Sequence, residues 1–518
     1  MKHPQNHREQ IEQVVVTAQQ MREIEGRIFE AGMPVAALME KVAGLVYNRI
    51  VALYPLTGTR RIGVLVGPGH NGGDALVIAR ELYLQGYDIR IYRPITKLKE
   101  LTANHAHYAT SLGIPFYEQI EPLQECDLII DGLFGFGLER SLSGTIANAI
   151  NQLNQWSQPV ISIDIPSGIH TDTGEVLGTA VRATYTLCLG LWKVAFLQDQ
   201  ALEYMGKAEL IDFGIPLIDI WAILGKPAGM LRINKGIVLD NLPLPRAVVT
   251  YKYKQGHLLL ICGSHQYSGA AILTGLGARA SGVGMLSIAV PNSLKPLLIS
   301  QLPEALIIGC PETEEGAIAH LPETIDFSNY SAIACGPGLT RDAKLVIQEV
   351  IGAECPLILD ADGLNSLAEL RTIPTLLKRQ SPTVLTPHVG EFKRLFPDSA
   401  GLLPDRIKAV RKASQLSRTI VLLKGARTAI AHPNGSIYLI PESTPALARG
   451  GSGDVLTGLI GGLVAQSTTA ELPLELIVAT AAWWHAQAGI LAAQDRTELG
   501  VDPLTLSQYL IPVVRSLS

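Results

Sequence analysis

The stretch R-I-G-V-L-V-G-P-G-H-N-G-G-D-A-L-V-I-A-R-E-L-Y-L-Q-G, Arg61 to Gly86, decides the fold class. Arg61 to Val66 is a β-branched apolar run short enough for a buried strand. Ala75 to Gln85 then shows the spacing of an amphipathic helix, and Gly86 stops it. A strand, a glycine-rich turn and a helix in that order form the front of a βαβ unit. Further strand candidates follow at I-R-I-Y from Ile89, L-I-I-D from Leu128 and V-I-S-I-D from Val160, with a helix over Gly144 to Leu153. A helical preamble, Thr17 to Tyr54, is broken at Gly32 to Pro34.

Downstream the same alternation resumes without sequence repetition. Strand candidates are L-L-L-I-C from Leu258, M-L-S-I-A-V from Met285, A-I-A-C from Ala332, L-I-L-D from Leu357, T-V-L-T from Thr383 and T-I-V-L-L-K from Thr419. Leu224 to Pro245, rich in Gly and Pro, is the expected junction. The expectation is two α/β domains, 1-225 and 230-518, each built on a mainly parallel sheet.

Composition supports this reading. The 518 residues are 47% hydrophobic and 17% charged, which excludes a disordered or fibrous chain. A net charge of −5 argues against nucleic-acid binding through a general basic surface. The six cysteines include no C-x-x-C pair, and a reduced cytoplasmic protein is expected. Leu474 to Ala493 is apolar, but Glu475, His485 and Gln487 interrupt it, so it reads as a buried helix and no membrane partner is expected. Trp483 and Trp484 within it read as core. His105 and His107, two apart on a helix, face different ways and cannot share a metal.

Gly67, Gly69 and Gly72 match the dinucleotide fingerprint in isolation. The next strand ends in Tyr92 and Arg93, however, without the acidic residue that would hold a ribose, so ordinary dinucleotide binding is disfavoured. Three strand ends give a better account: Asn71 to Asp74, Asp131 in D-G-L-F-G-F-G, and Asp164 with Ser167 in D-I-P-S-G. Asn71, Asp131 and Ser167 offer oxygen ligands to a hard cation, and Asp164 is placed to act as acid or base. The alternative is that Asp74 caps a helix and Ser167 a turn.

In the second half, G-G-S-G-D, Gly450 to Asp454, opens the helical run V-L-T-G-L-I-G-G-L-V. Amides at such a helix start stabilise a transferring phosphoryl group, and Asp454 stands ready to accept a hydroxyl proton. Close helix packing is the plainer reading of the glycines. No G-x-x-x-x-G-K-[ST] occurs, nor a protein-kinase set of H-R-D with D-F-G, which disfavours P-loop nucleotidases and protein kinases. K-G-A-R-T, Lys424 to Thr428, follows a strand and could hold a nucleotide. Asp360 and Asp362 could organise magnesium, and His388 and Glu391 end another strand.

Together these motifs resemble the bifunctional NAD(P)H-hydrate repair enzymes, an epimerase fused to an ADP-dependent dehydratase, from about Val14 to Leu510. The first half is similar to the Rossmann-like epimerase domain through N-G-G-D at Asn71, D-G-L-F-G-F-G and D-I-P-S-G. The second resembles the ribokinase-like dehydratase through G-P-G-L at Gly336, L-D-A-D-G-L-N at Leu359, T-P-H-V-G-E at Thr386, K-G-A-R-T and G-S-G-D. The resemblance implies that His70, Asn71, Gly72, Gly73 and Asp74, the loop of Gly135, Phe136, Gly137, Leu138, Glu139, Arg140 and Ser141, and Asp164 contact hydrated NADH or NADPH (NADHX, NADPHX). Asn71, Asp131 and Ser167 would hold potassium. Ala270, Gly338, His388 and Asp454 would touch the substrate of the dehydratase. Lys424, Gly425, Ala426, Arg427, Thr428 and Gly453 would bind ADP or ATP with Mg2+. Asp164 and Asp454 would be catalytic, and a homo-oligomer is expected. His70 stands where the family commonly has Asn, Ala75 where it has Gly, and T-Y-K-Y, Thr250 to Tyr253, where it has S-H-K-G. A ribokinase-type vitamin or sugar kinase with a nucleotide-sensing first half is the rival reading.

Overall fold

The computed structural model describes residues 7–470 and 472–517. The chain divides into two compact units with the boundary between Ala228 and Gly229.

In the first unit a seven-stranded sheet is parallel throughout. Its spatial order is Phe116–Tyr117, Asp88–Tyr92, Arg61–Val66, Leu128–Gly132, Val160–Ile163, Tyr185–Leu189 and Lys207–Ile211. Strands covered on both faces read as nearly unbroken apolar runs, which is why R-I-G-V-L-V shows no alternation. Side chains nevertheless point alternately. Ile62, Val64 and Val66 join one core with Met39, Val46 and Leu76, whereas Leu65 joins another with Ile129 and Ile150. The preamble forms two helices, Ala18–Glu30 and Val35–Leu53. Thr17 starts the first with a capping box: its hydroxyl accepts from the Gln20 amide, and the Gln20 side chain accepts from the Thr17 amide.

After Arg61–Val66 the chain turns to Asp88–Tyr92 on one side, and later returns to Leu128–Gly132 on the other. The carboxyl ends of Arg61–Val66 and Leu128–Gly132 therefore mark a topological switch point, where open parallel sheets form a crevice.

The second unit holds a ten-stranded sheet. Its order is Met230–Arg232, Ile437–Leu439, Ala429–Ala431, Ile420–Leu423, Thr383–Leu385, Leu357–Leu359, Ala332–Cys335, His257–Ile261, Met285–Pro291 and Leu306–Cys310. Ala429–Ala431 runs antiparallel to both neighbours, and the other pairings are parallel. The switch point lies between His257–Ile261 and Ala332–Cys335.

Helices Ser268–Ser281 and Ser452–Ala470 cross this sheet in close contact. A Cβ on Gly458 would stand 1.8 Å from the Thr274 carbonyl, and one on Gly277 2.1 Å from that of Val455. Glycine lets the two backbones meet here, so the plainer reading of the G-x-x-G-G run applies to Gly458 and Gly462. Among the described residues one helix, Leu474–Arg496, is long and apolar enough to cross a membrane. It is mostly buried within the unit. Trp483 and Trp484 lie in its core, the Trp484 indole donating to the Leu510 carbonyl.

Candidate active sites

In the first unit Asp131 ties the strand ends together. It is fully buried; its Oδ1 accepts from Ser167 Oγ at 2.6 Å and the Leu133 amide at 3.2 Å, its Oδ2 from Ser162 Oγ and the Ser167 amide, both at 2.9 Å. Burial pushes its carboxyl above the ordinary range, and the Ser167, Ser162 and Leu133 donors pull it back.

Asp164 has φ of 69°, a left-handed conformation that costs a non-glycine residue about 1–3 kcal/mol. Polar contacts hold it there: Lys193 Nζ donates to Oδ1 at 2.6 Å, and the Phe136 amide to Oδ2 at 3.0 Å. Lys193 is wholly buried, with a second bond to the Leu189 carbonyl at 2.5 Å.

The glycine turn packs against this knot. Gly67 is needed because a Cβ would collide with the Leu133 carbonyl at 1.6 Å, and Gly72 because it abuts the Gly67 carbonyl at 2.0 Å. The helix begins at His70, five residues before Ala75, because Gly72, Gly73 and Asp74 take helical backbone in its first turn. No side chain caps that start, which leaves its first amides available.

A cavity of about 820 Å³ opens beside these groups. His70, Asn71, Asp74, Gly135, Phe136, Gly137, Leu138, Glu139, Arg140 and Asp164 all line it, with Glu25 and Lys193. Gly72 and Gly73 are buried behind the wall, and Ser141 lies in solvent beyond the loop. Gly135 sits between Asp164 Oδ2 and Asn71 Oδ1, at 3.0 and 3.3 Å from where a Cβ would be. Asn71 Nδ2 is buried without a partner. Asp74 is held well above the ordinary carboxylate range by burial first, then by the nearby Asp164 and Glu25.

The site of the second unit gathers around the start of Ser452–Ala470. Lys424 Nζ donates to Asp360 Oδ1 at 2.7 Å, and Thr457 Oγ1 to Asp360 Oδ2 at 2.6 Å. Gly453 faces this pair, its Cβ position 3.5 Å from Lys424 Nζ and 3.7 Å from Asp360 Oδ2. Burial, then the neighbouring Asp360 charge, raises the Asp454 carboxyl to about 7, with Lys424 opposing. A carboxyl so placed exchanges protons near neutrality.

His388 is the N-cap of helix Val389–Leu395. Its Nδ1 accepts from the Gly390 and Glu391 amides at 2.9 and 3.3 Å, and Glu391 returns the capping box. Ala270 touches Gly338, whose Cβ would lie 2.8 Å from the Ala270 methyl. Asp362 accepts from the Thr340 amide at 3.0 Å and the Asn365 side chain at 3.3 Å. Asp360 and Asp362 are thus committed within the protein, and no cluster of three or more His, Cys, Asp or Glu suited to a metal occurs among the described residues. Asp131 and Ser167 are likewise bonded to each other and to Ser162 and Leu133, and of Asn71, Asp131 and Ser167 only Asn71 lines the cavity.

Residues 35–195 match the family described as YjeF-related protein N-terminus, and residues 258–512 that described as NAD(P)H-hydrate dehydratase. The chain is 57% identical to the bifunctional NAD(P)H-hydrate repair enzyme Nnr of Synechocystis sp., over 97% of this chain and 95% of that protein. The chain belongs to the bifunctional NAD(P)H-hydrate repair enzyme family. Nnr of Thermosynechococcus vestitus is 52% identical, with 97% of each chain covered. A solved ADP/ATP-dependent NAD(P)H-hydrate dehydratase from Bacillus subtilis, co-crystallized with ATP/Mg2+, is 35% identical with a TM-score of 0.47; it covers 55% of this chain and 98% of that one.

Seen as a repair enzyme, the chain shows residues that sequence reasoning passed over. Glu25 and Lys193 line the first cavity, and Thr457 braces Asp360 in the second site. Lys193, in L-W-K-V-A-F, is a charge embedded in an apolar run, which signals a buried ion pair. Glu25 sits in a helix of ordinary polarity and carries no such signal. Within K-G-A-R-T, Lys424 points to Gly453, while Gly425 and Ala426 form an exposed loop.

Proposed function

We propose that the first unit interconverts the R and S forms of hydrated NADH and NADPH, and that the second returns the S form to NAD(P)H at the expense of ADP. The observation that carries this reading is Asp454, a carboxyl poised near neutrality at a glycine-opened helix start, beside the Lys424–Asp360 pair.

The substrate carries a hydroxyl on the carbon next to its ring nitrogen, and hydroxide leaves poorly. Asp454 takes the hydroxyl proton as the oxygen attacks the terminal phosphorus of the nucleotide. The amides of Gly450, Gly451 and Gly453 and the Lys424 ammonium neutralise the charge on the transferring group. The ring nitrogen then expels phosphate, a proton leaves the adjacent ring carbon, and the dihydronicotinamide returns, with AMP and phosphate as the other products. Magnesium would supply charge neutralisation on the phosphates it arrives with; the committed Asp360 and Asp362 form no dedicated cage for it. Potassium would be held by Asn71, Asp131 and Ser167 and would add positive charge at the first site. Six free cysteines, five of them buried, suit the reducing cytoplasm.

Incubation with racemic hydrated NADH plus ADP, followed by the return of NADH absorbance, tests the assignment. Conversion of the whole mixture is expected. Arrest at half would remove the epimerase, and a stable phosphorylated product without NADH would identify a small-molecule kinase instead.

A further inference from the structure

The first cavity contains more ionisable groups than a single acid–base residue requires. Glu25 enters from helix Ala18–Glu30, Asp74 from helix His70–Leu84, Asp164 from the end of Val160–Ile163, and Lys193 from Trp192–Lys193. Of the two ammonium groups that line the cavity, Lys193 and Lys99, Lys193 is fully buried. Lys193 is spoken for by Asp164 at 2.6 Å, and by the Leu189 carbonyl. Asp164 is therefore the carboxyl paired with that ammonium. Asp74 lines the cavity too but is more deeply buried than Glu25. Glu25 is half-buried in the wall, in electrostatic reach of both Asp164 and Lys193.

We propose that Glu25 is the second proton-transfer group of this cavity, working opposite Asp164, and that Lys193 is the positioning residue that keeps the two carboxyls in unlike protonation states. This rests on the epimerase reading of the unit. A carbon bearing both a hydroxyl and a ring nitrogen is inverted without oxidant or reductant if its bond to nitrogen opens. Asp164 takes the hydroxyl proton, the oxygen electrons form a carbonyl, and the carbon–nitrogen electron pair withdraws onto nitrogen, which takes the proton of Glu25. Rotation about the adjacent carbon–carbon bond presents the other carbonyl face. Nitrogen then attacks, returning its proton to Glu25, while the oxygen recovers the proton held by Asp164. Atoms and charge balance, and each carboxyl ends as it began. Such a cycle needs one protonated and one ionised carboxyl at the same pH. Burial raises Glu25 to about 7, with Lys193 opposing and Asp164 reinforcing. The other charged or titratable groups facing the cavity are Arg22 on the same helix, His70, Asp74, Lys99, Glu139 and Arg140.

The test is the epimerisation rate of full-length Glu25→Gln and Glu25→Asp against pH, with the Tm of the first unit's unfolding as the control for folding. For Glu25→Gln, kcat for epimerisation should fall about 10²-fold or more with KM little changed, and Glu25→Asp should recover part of it. The wild-type decline on the alkaline side, from loss of the Glu25 proton, should vanish in Glu25→Gln. Lys193→Arg, which keeps the charge, should displace that alkaline limb, a change that loss of packing alone would not produce. Wild-type epimerisation by Glu25→Gln across the pH range overturns the proposal while leaving the epimerase reading intact. Absence of epimerisation in the wild-type enzyme overturns that reading itself.

Discussion

Thr457 Oγ1 donates to Asp360 Oδ2 at 2.6 Å from the same helical turn that carries Asp454. Asp360 is buried, and this bond satisfies the oxygen that Lys424 does not. Thr457→Val keeps the shape and removes the donor, leaving a buried carboxylate oxygen unpaired. The second unit should lose about 1–3 kcal/mol, read as a lower urea midpoint of its unfolding transition.

Asp454→Asn should bind nucleotide nearly as the wild type does and turn over about 10²-fold more slowly. Titration calorimetry and single-turnover dehydration separate the two effects. Wild-type turnover would refute the base role.

The raised carboxyl of Asp454 also sets a pH dependence. A base must be ionised, so kcat/KM for dehydration should fall as pH drops below about 7. The stability effect runs oppositely. From 3.8 to about 7 the folded unit holds this proton while the unfolded chain has released it, so stability declines as pH rises through that window. Asp360→Asn removes the neighbouring charge and should move the activity limb to lower pH, whatever it does to the maximal rate.

Asp131→Ala would orphan the hydroxyls of Ser162 and Ser167 and the amides of Ser167 and Leu133. Epimerisation should be lost and the first unit destabilised, while dehydration of the S form persists. Ser167→Ala is the milder probe, and a higher potassium requirement for epimerisation is its expected outcome. Equal loss of both activities in Asp131→Ala would show that the two units do not work independently.

Gly458→Ala would place a methyl 1.8 Å from the Thr274 carbonyl, on backbone that has no rotamer to yield. About 1–3 kcal/mol or more of destabilisation is expected, measurable as a lower Tm of the second unit. An unchanged Tm would mean that the two helices separate freely.

Much of the fold was legible because buried parallel strands are short, apolar and β-branched. Arg61–Val66, Leu128–Gly132 and Val160–Ile163 announce themselves in this way. The short strands Phe116–Tyr117, Met230–Arg232 and Ile437–Leu439 do not, since two or three residues carry no period. The start of helix His70–Leu84 was misplaced because three of its first residues, Asn71, Gly72 and Gly73, have weak helix propensity. Packing against Gly67 and Met39 overrides that preference.

By itself the sequence determined the alternation of strand and helix and the loops that carry chemistry, because these depend on neighbours along the chain. Tertiary structure decided the charge states. Lys193 meets Asp164, Glu25 joins them from a distant helix, and Lys424 and Thr457 divide the oxygens of Asp360. Whether a carboxyl is an ion, an acid or a base depends on its burial and on the charges within a few ångströms. Those neighbours come from segments tens to more than a hundred residues away, which no local pattern records.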